Sequence, residues 1–238
     1  MESLKEKNIL IVGASGGIGS RVARQLAAGQ AHLFLAGRNK EKLAAVAESV
    51  NIPVENTFSL DISVPEQVLS LKEQFFKRFQ HIDILVNVAG IGIIKPVEAL
   101  TETDFLCSLN YNLYGPFLLM KAFLPAMKVA RKGLIINIPG VLGKTPMAGA
   151  AAYCASKYGL LGMMQSIREE IKRTEIRITN IFMGGVDSPF WNTIDLRVQR
   201  EKMIQADEAA KAIWFLCQQP ASAVVSEMVL QPFNHQAI

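Results

Sequence analysis

An α/β fold with one doubly wound parallel sheet is what this sequence predicts, and three observations predict it. Strand-like apolar runs alternate with helix-length segments from one end to the other. The runs are nearly continuous in Val, Ile and Leu, as in NILIVG, which marks strands covered on both faces. No repeat, low-complexity tract or linker interrupts the 238 residues, so a single domain over 1–238 is expected.

In order, NILIVG (8–13) reads as the first strand, followed by a helical stretch to about Ala28. HLFLA (32–36) precedes the helix KEKLAAVAESV, and VENTFSL (54–60) precedes SVPEQVLSLKEQFFKRF, whose Val68, Leu71, Phe75 and Phe79 share one face. Ser63 and Glu66 have the spacing of a capping box at its start. Then come IDILVNV (82–88), a long helix near 103–130, GLIINI (133–138), a helix over about 153–173, RITNIF (177–182), a helix near 207–218 and a strand around 224–230. The sheet therefore has seven strands, with helices on both faces. The helices near 103–130 and 153–173 are apolar on more than one side, through Phe105, Leu109, Leu113, Phe117 and Leu118 and through Leu160, Leu161, Met163, Met164 and Ile167. One side covers the sheet and the other is free for a second copy, which favours a homo-oligomer, dimer or tetramer, over a thicker monomeric core.

Composition excludes several classes. Half the residues are apolar and 19% are charged, which suits a well-cored soluble globule. No apolar run approaches the ~20 residues of a membrane span. The run Ile9 to Val12 behind the N-terminal lysines is too short for a signal peptide and ends in glycines. The three cysteines, Cys107, Cys154 and Cys217, are odd in number and lack metal spacing, so reduced thiols in a cytoplasmic protein and no metal are expected. The net charge of +4 is spread out, and its densest stretch (Arg168, Lys172, Arg173, Arg177) has no interleaved aromatics, which argues against nucleic acid.

Two patterns carry chemistry. IVGASGGIG sets Gly13, Gly17 and Gly19 after the first strand and at the opening of a helix, with Ser15, Gly16 and Ile18 between them. Glycines allow a tight turn and close backbone approach, and the helix N-terminus offers unpaired N–H groups to a phosphate. In the first βα turn of such a chain this points to a dinucleotide and a Rossmann-type fold. The second strand ends Ala36-Gly37-Arg38, with no carboxylate for a ribose 2′-OH and an arginine that can fork onto a 2′-phosphate. NADP is expected, with NAD as the alternative. Gly16 leaves the loop without a second basic group, so a mild preference is expected. Tyr153 and Lys157 stand four apart on one helix face. An ammonium beside a phenol stabilises the phenolate and lowers its pKa from about 10, which suits proton exchange with a carbonyl/alcohol pair near neutral pH. Lys157 can also hold ribose hydroxyls.

With GASGGIG (13–19), LDI (60–62), NVAG (87–90), YNLYGPF (111–117), YCASK (153–157) and MGGVDS (183–188) in this order, the chain resembles the short-chain dehydrogenase/reductase family along nearly its whole length. The resemblance implies that the first motif holds the pyrophosphate and that Asp61, with Ile62 beside it, contacts adenine. It implies that Asn87, leading into Ala89 and Gly90, steadies the central strand beside the cofactor, and that Asn112 supports a water-linked proton relay through the lysine. It gives Tyr153 and Lys157 the central catalytic roles, and sets Gly184, Val186 and Ser188 against the nicotinamide carboxamide. EMVLQPFNHQ resembles the branch of 3-hydroxy-acid and serine dehydrogenases more than the fatty-acid-synthesis ketoreductases.

There are three departures. Val88 replaces a second Asn, Met183 replaces a Pro, and Gly140 stands where the family has its catalytic Ser, with Pro139 before it. Losing one such hydroxyl donor costs about 10²–10³ in turnover, roughly 3–4 kcal/mol. Thr145, an ordered water or a polar group of the substrate could replace it. Pro139-Gly140 also fits the centre of a type II turn, and a glycine leaves room for a bulkier substrate. A short lid over about 188–205 carries Phe190, Trp191, Ile194 and Leu196, for an apolar substrate, a partner surface or its own packing. The function expected is hydride transfer between NADP(H) and a small-molecule carbonyl or alcohol, impaired by the missing hydroxyl. The alternative is an NADP(H)-binding protein with little catalysis, a redox sensor or an inactive partner subunit. A nucleotide-sugar epimerase shares Y-x-x-x-K but ranks lower, because its G-x-x-G-x-x-G turn and larger C-terminal domain are missing here.

Overall fold

Alternation of apolar runs and helices resolves, in a computed structural model describing residues 1–234, into seven parallel strands. His235 and Gln236 of the EMVLQPFNHQ stretch lie outside the described residues. The strands are β1 (Asn8–Val12), β2 (His32–Gly37), β3 (Thr57–Ser59), β4 (Ile84–Asn87), β5 (Lys132–Asn137), β6 (Glu175–Met183) and, after a short pair β7 (Val186–Asp187) and β8 (Ile204–Gln205), β9 (Glu227–Leu230). Their order is β3-β2-β1-β4-β5-β6-β9, all parallel. The direction of winding reverses between β1 and β4, which opens a crevice at the carboxyl ends of the strands there.

Side chains along each strand alternate between two cores. Ile9 and Ile11 face α1 (Gly17–Ala28), α2 (Lys40–Ser49) and α7 (Ala206–Cys217) through Val22, Leu26, Leu43 and Ile213. Leu10 and Val12 face α3 (Pro65–Arg78), α5 (Gly115–Ala130) and α6 (Ala151–Ile171) through Leu71, Phe75, Phe123 and Met164. Each helix buries one stripe against the sheet, at about 25 cal/mol per Å² of apolar surface removed from water. Among the described residues no helix is long and apolar enough to cross a membrane.

Four local expectations change. The third strand starts at Thr57, because Pro53 opens a 3₁₀ turn over Val54–Asn56 that closes with Asn56 N–H on the Pro53 carbonyl at 2.9 Å. The Ser63–Glu66 capping box does not form. Ser63 donates from both its backbone N–H (2.8 Å) and its hydroxyl (2.6 Å) to Asp61 Oδ1, and α3 starts behind Val64 with Pro65 in its first turn, where a missing N–H costs nothing. The long helix near 103–130 is α4 (Glu102–Leu109) and α5 joined by a π turn over Asn110–Tyr114. Such a bulge interrupts the regular ladder and frequently marks functional positions; here it carries Tyr111 and the fully buried Asn112. The final strand is shorter than read, starting at Glu227, where it pairs with Asn180 of β6. The outer sides of α4, α5 and α6 expose Phe105, Leu106, Phe117 and Tyr158.

Candidate active site

The crevice at the reversal of strand order is a cleft of about 560 Å³. Its floor is the turn after β1. Gly13 has φ +93°, and a Cβ there would stand 2.7 Å from the Ala89 backbone nitrogen; a Cβ on Gly19 would stand 2.2 Å from the Gly13 carbonyl oxygen. Only glycine permits a turn this tight. Gly16 caps α1 with no side-chain hydrogen bond, so the first N–H groups of the helix stay open toward the cleft. At the end of β2 a side chain on Gly37 would meet Ser15 Oγ at 2.6 Å, which closes that position to a carboxylate.

Gly13, Ser15, Gly16, Gly17, Ile18, Gly19, Arg38, Ala89, Gly90, Tyr153, Lys157, Gly184, Val186 and Ser188 all line this one cleft. Asp61, Ile62, Asn87 and Asn112 do not; they stand behind its wall. Asn39 and Lys42, which the sequence reading passed over, line the end beside Arg38. Gly16 indeed leaves the loop without a basic group, but Lys42 supplies one from the first turn of α2, four residues after Arg38, and that spacing was the available signal.

Asp61 organises the same end from behind. Tyr111 donates its hydroxyl to Asp61 Oδ2, and the Arg38 guanidinium carbon lies 5.2 Å from the centre of the Tyr111 ring. Burial works against the Asp61 charge, but the hydrogen bonds from Ser63 and Tyr111 and the charge of Arg38 hold its carboxyl below the usual range. The Asp61 hydrogen bond, followed by burial, pushes the Tyr111 phenol up.

At the other end, α6 carries Tyr153 and the buried Lys157 on one face. Lys157 Nζ donates to the Ile138 carbonyl at 2.9 Å and stands 5.5 Å from the centre of the Tyr153 ring. Burial brings the lysine down to about 8. Burial also pushes the Tyr153 phenol up, which corrects the expected lowering: the ammonium is turned to a carbonyl rather than to the phenol oxygen. Asn112 holds the loop after β4 by accepting from Ile91 N–H and donating to the Ile91 carbonyl, both at 2.9 Å, and donates to Ser156 Oγ at 3.2 Å. A Cβ on Gly90 would lie 3.0 Å from Asn112 Oδ1 and 3.5 Å from Lys157 Nζ, so both groups converge on that glycine.

Asn87 donates to Asn137 Oδ1 at 3.2 Å and accepts from Ala89 N–H at 3.3 Å. It belongs to a row, since Asn87, Asn137 and Asn180 are register partners across β4, β5 and β6, all buried. The endings LVN, IIN and ITN carried that signal, and only Asn87 was singled out.

Gly140 lines the cleft at φ +72° and ψ 170°. A type II turn needs ψ near 0° at its second central residue, so the Pro139-Gly140 turn expected from sequence is absent, and the backbone adopts a conformation essentially reserved for glycine. Gly140 N–H donates to the Ile181 carbonyl at 3.2 Å, and a Cβ would meet the Met183 carbonyl oxygen at 3.3 Å. Thr145 is exposed and does not line the cleft.

After β6 the chain crosses the mouth. Phe190 sets its ring 6.1 Å from that of Tyr153 and 5.4 Å from that of Trp191, and Trp191 Nε1 donates to the Val186 carbonyl at 2.9 Å. Arg200 ties the segment down with bonds to Asp187 Oδ1 (2.6 Å), Asn192 Oδ1 (3.0 Å) and the Ser188 carbonyl (2.9 Å). Ile194 packs inward, while Leu196 is exposed.

Comparison with known proteins gives one family, described as short chain dehydrogenase, over residues 7–199. A sepiapterin reductase of Chlorobaculum tepidum is 32% identical, over 94% of this chain and 95% of its own. An oxidoreductase of Staphylococcus epidermidis is 30% identical, over 98% of this chain and all of its own. Among solved structures, a metagenomic short-chain oxidoreductase in complex with NADP superposes with a TM-score of 0.84 at 30% identity, covering 97% of this chain and 99% of the other.

Proposed function

The chain belongs to the short chain dehydrogenase family, and from that premise we propose that it is an oxidoreductase exchanging hydride between NADP(H) and a small carbonyl/alcohol pair. One observation carries the reading: a single cleft runs from a basic end, with Arg38 and Lys42, across a glycine floor to Tyr153 and Lys157. A dinucleotide fits it, because the floor is closed to any Cβ at Gly13 and Gly19 and the α1 N–H groups face it. The solved relative bound to NADP supports the choice of cofactor. When bound, the dinucleotide supplies the hydride that reaches the carbonyl carbon.

The chain's own residues do the rest. The N-terminus of α1 holds the pyrophosphate; Arg38, Lys42 and Asn39 hold the 2′-phosphate, with Asp61 and Tyr111 fixing the guanidinium. Gly184, Val186 and Ser188 face the nicotinamide. Tyr153 gives its phenolic proton to the carbonyl oxygen, which leaves an alcohol, and Lys157 keeps the local charge positive while that oxygen is negative. Asn112 and Asn87 position the loop after β4. Residues 188–205 act as a lid that excludes water through Phe190 and Trp191. A second copy docks on the exposed side of α4, α5 and α6, and the free thiols suit a reducing cytoplasm.

The Arg38→Ala variant is expected to weaken NADPH about ten- to a hundredfold, the worth of one charge-assisted hydrogen bond, and NADH by less than about twofold. Fluorescence titration of both coenzymes checks this, and equal weakening of the two would remove Arg38 from the 2′-phosphate.

Gly140 favours a second reading, a cofactor-binding protein with little turnover. We take it to stand at the family's catalytic serine, so that no hydroxyl from residue 140 meets the substrate oxygen. The variant Gly140→Ser is expected to lose about 1–3 kcal/mol of stability and to gain little activity, because its backbone is in a region that side chains avoid. Thermal melts and a carbonyl-substrate panel measure both. A hundredfold gain at unchanged melting temperature would show instead that the missing hydroxyl limits the rate. Tight NADPH binding with no turnover in either protein would leave the second reading standing.

A further inference from the structure

Among the described residues, the substrate end of the cleft is largely apolar and its lining offers no free cation. Around Tyr153 it is walled by Ile94, Val141, Leu142, Met147, Phe190 and Trp191. Phe190 closes one side so tightly that a Cβ on Gly92 would stand 2.3 Å from its ring. The cations of the lining are Arg38 and Lys42 at the far end and Lys157, whose ammonium is turned to the Ile138 carbonyl. Of the described cations in neighbouring segments, Arg200 is engaged with Asp187, Asn192 and the Ser188 carbonyl, Lys144 with Glu227 and Lys95 with Asp104, while Arg197 and Lys202 of the lid are exposed and outside the lining. A carboxylate carried into this end would lose its water and meet, among the described lining residues, no cation but Lys157, which is already held by the Ile138 carbonyl. A poorly paired buried charge is among the costliest groups a protein can enclose.

We propose that the substrate is uncharged and apolar beside its carbonyl, an aryl or alkyl ketone or aldehyde, and that oxo acids and hydroxy acids are rejected. The proposal rests on the oxidoreductase reading and deepens it. It opposes the hydroxy-acid branch that the C-terminal stretch suggested, because selection by charge is set by the wall around Tyr153 rather than by the last strand.

The test uses ethyl benzoylacetate and the benzoylacetate anion, which differ in charge and in one ethyl group, with the neutral 3-oxo-3-phenylpropanamide, nearly isosteric with the acid, as the control for the added carbons. The amide is expected to bind more tightly than the anion, and an amide no tighter than the anion overturns the proposal. Binding of each to the wild-type NADPH complex is followed by NADPH fluorescence, and turnover by NADPH absorbance. The ester is expected to bind at least about tenfold more tightly and to show the same advantage in kcat/KM. Leu142→Arg, which adds a cation to the wall, is expected to narrow that ratio in favour of the anion. Equal or tighter binding of the anion to the wild type overturns the proposal, as does failure of both to bind at millimolar concentration. Preferential binding of the ester without turnover of either compound leaves the substrate class standing and overturns the oxidoreductase reading alone.

Discussion

Tyr153→Phe is expected to lower carbonyl reduction by about 10²–10⁴-fold, while NADPH binding changes by less than about twofold. The phenol is the proton source at the apolar end of the cleft, and Phe keeps the ring that packs against Phe190, so only the hydroxyl is lost. Stopped-flow reduction and coenzyme titration separate the two effects. A variant as fast as the wild type would assign the acid elsewhere. The lysine adds a pH signature. Lys157, brought down to about 8 by burial, is charged below that value and neutral above it. Because its charge supports proton delivery, kcat/KM for reduction should be level at lower pH and fall as pH rises through about 8. A flat profile between pH 6 and 10 would separate the lysine from the proton step.

Gly19→Ala is the second large effect. Its Cβ would sit 2.2 Å from the Gly13 carbonyl oxygen, a contact with backbone that no side-chain rotation relieves. The turn must open, at a cost of about 1–3 kcal/mol, which for a chain of this size lowers the melting temperature by roughly 2–12 °C. Opening it also displaces the N–H groups that face the pyrophosphate, so NADPH affinity should fall about a hundredfold. Calorimetry and titration on the same preparation check both. Retention of full affinity would mean that the floor of the cleft does not hold the dinucleotide.

How much of this was legible in the sequence depends on how local each cause is. The sheet and its helices follow from continuous apolar runs, which only strands covered on both faces use. The glycine floor and the Tyr153–Lys157 pair follow from spacing within one turn or one helix. Features set by distant partners were missed. Ser63 fits a cap, yet its hydroxyl goes to Asp61, because Asp61 is itself drawn toward Tyr111 and Arg38. The π turn that buries Asn112 inside an otherwise regular helical pattern is fixed by the clamp on Ile91, which local propensity does not encode. Proximity suggested an acidic Tyr153, but Lys157 is spent on Ile138, a partner 19 residues away. The row of asparagines needed the strand register before it could be seen as a row.

The backbone of residue 140 also limits what this loop accepts. At φ +72° and ψ 170° it lies where side chains of any kind are strained, so a library randomised at this one position should return mostly glycine when selected for folding, whatever the reaction being screened.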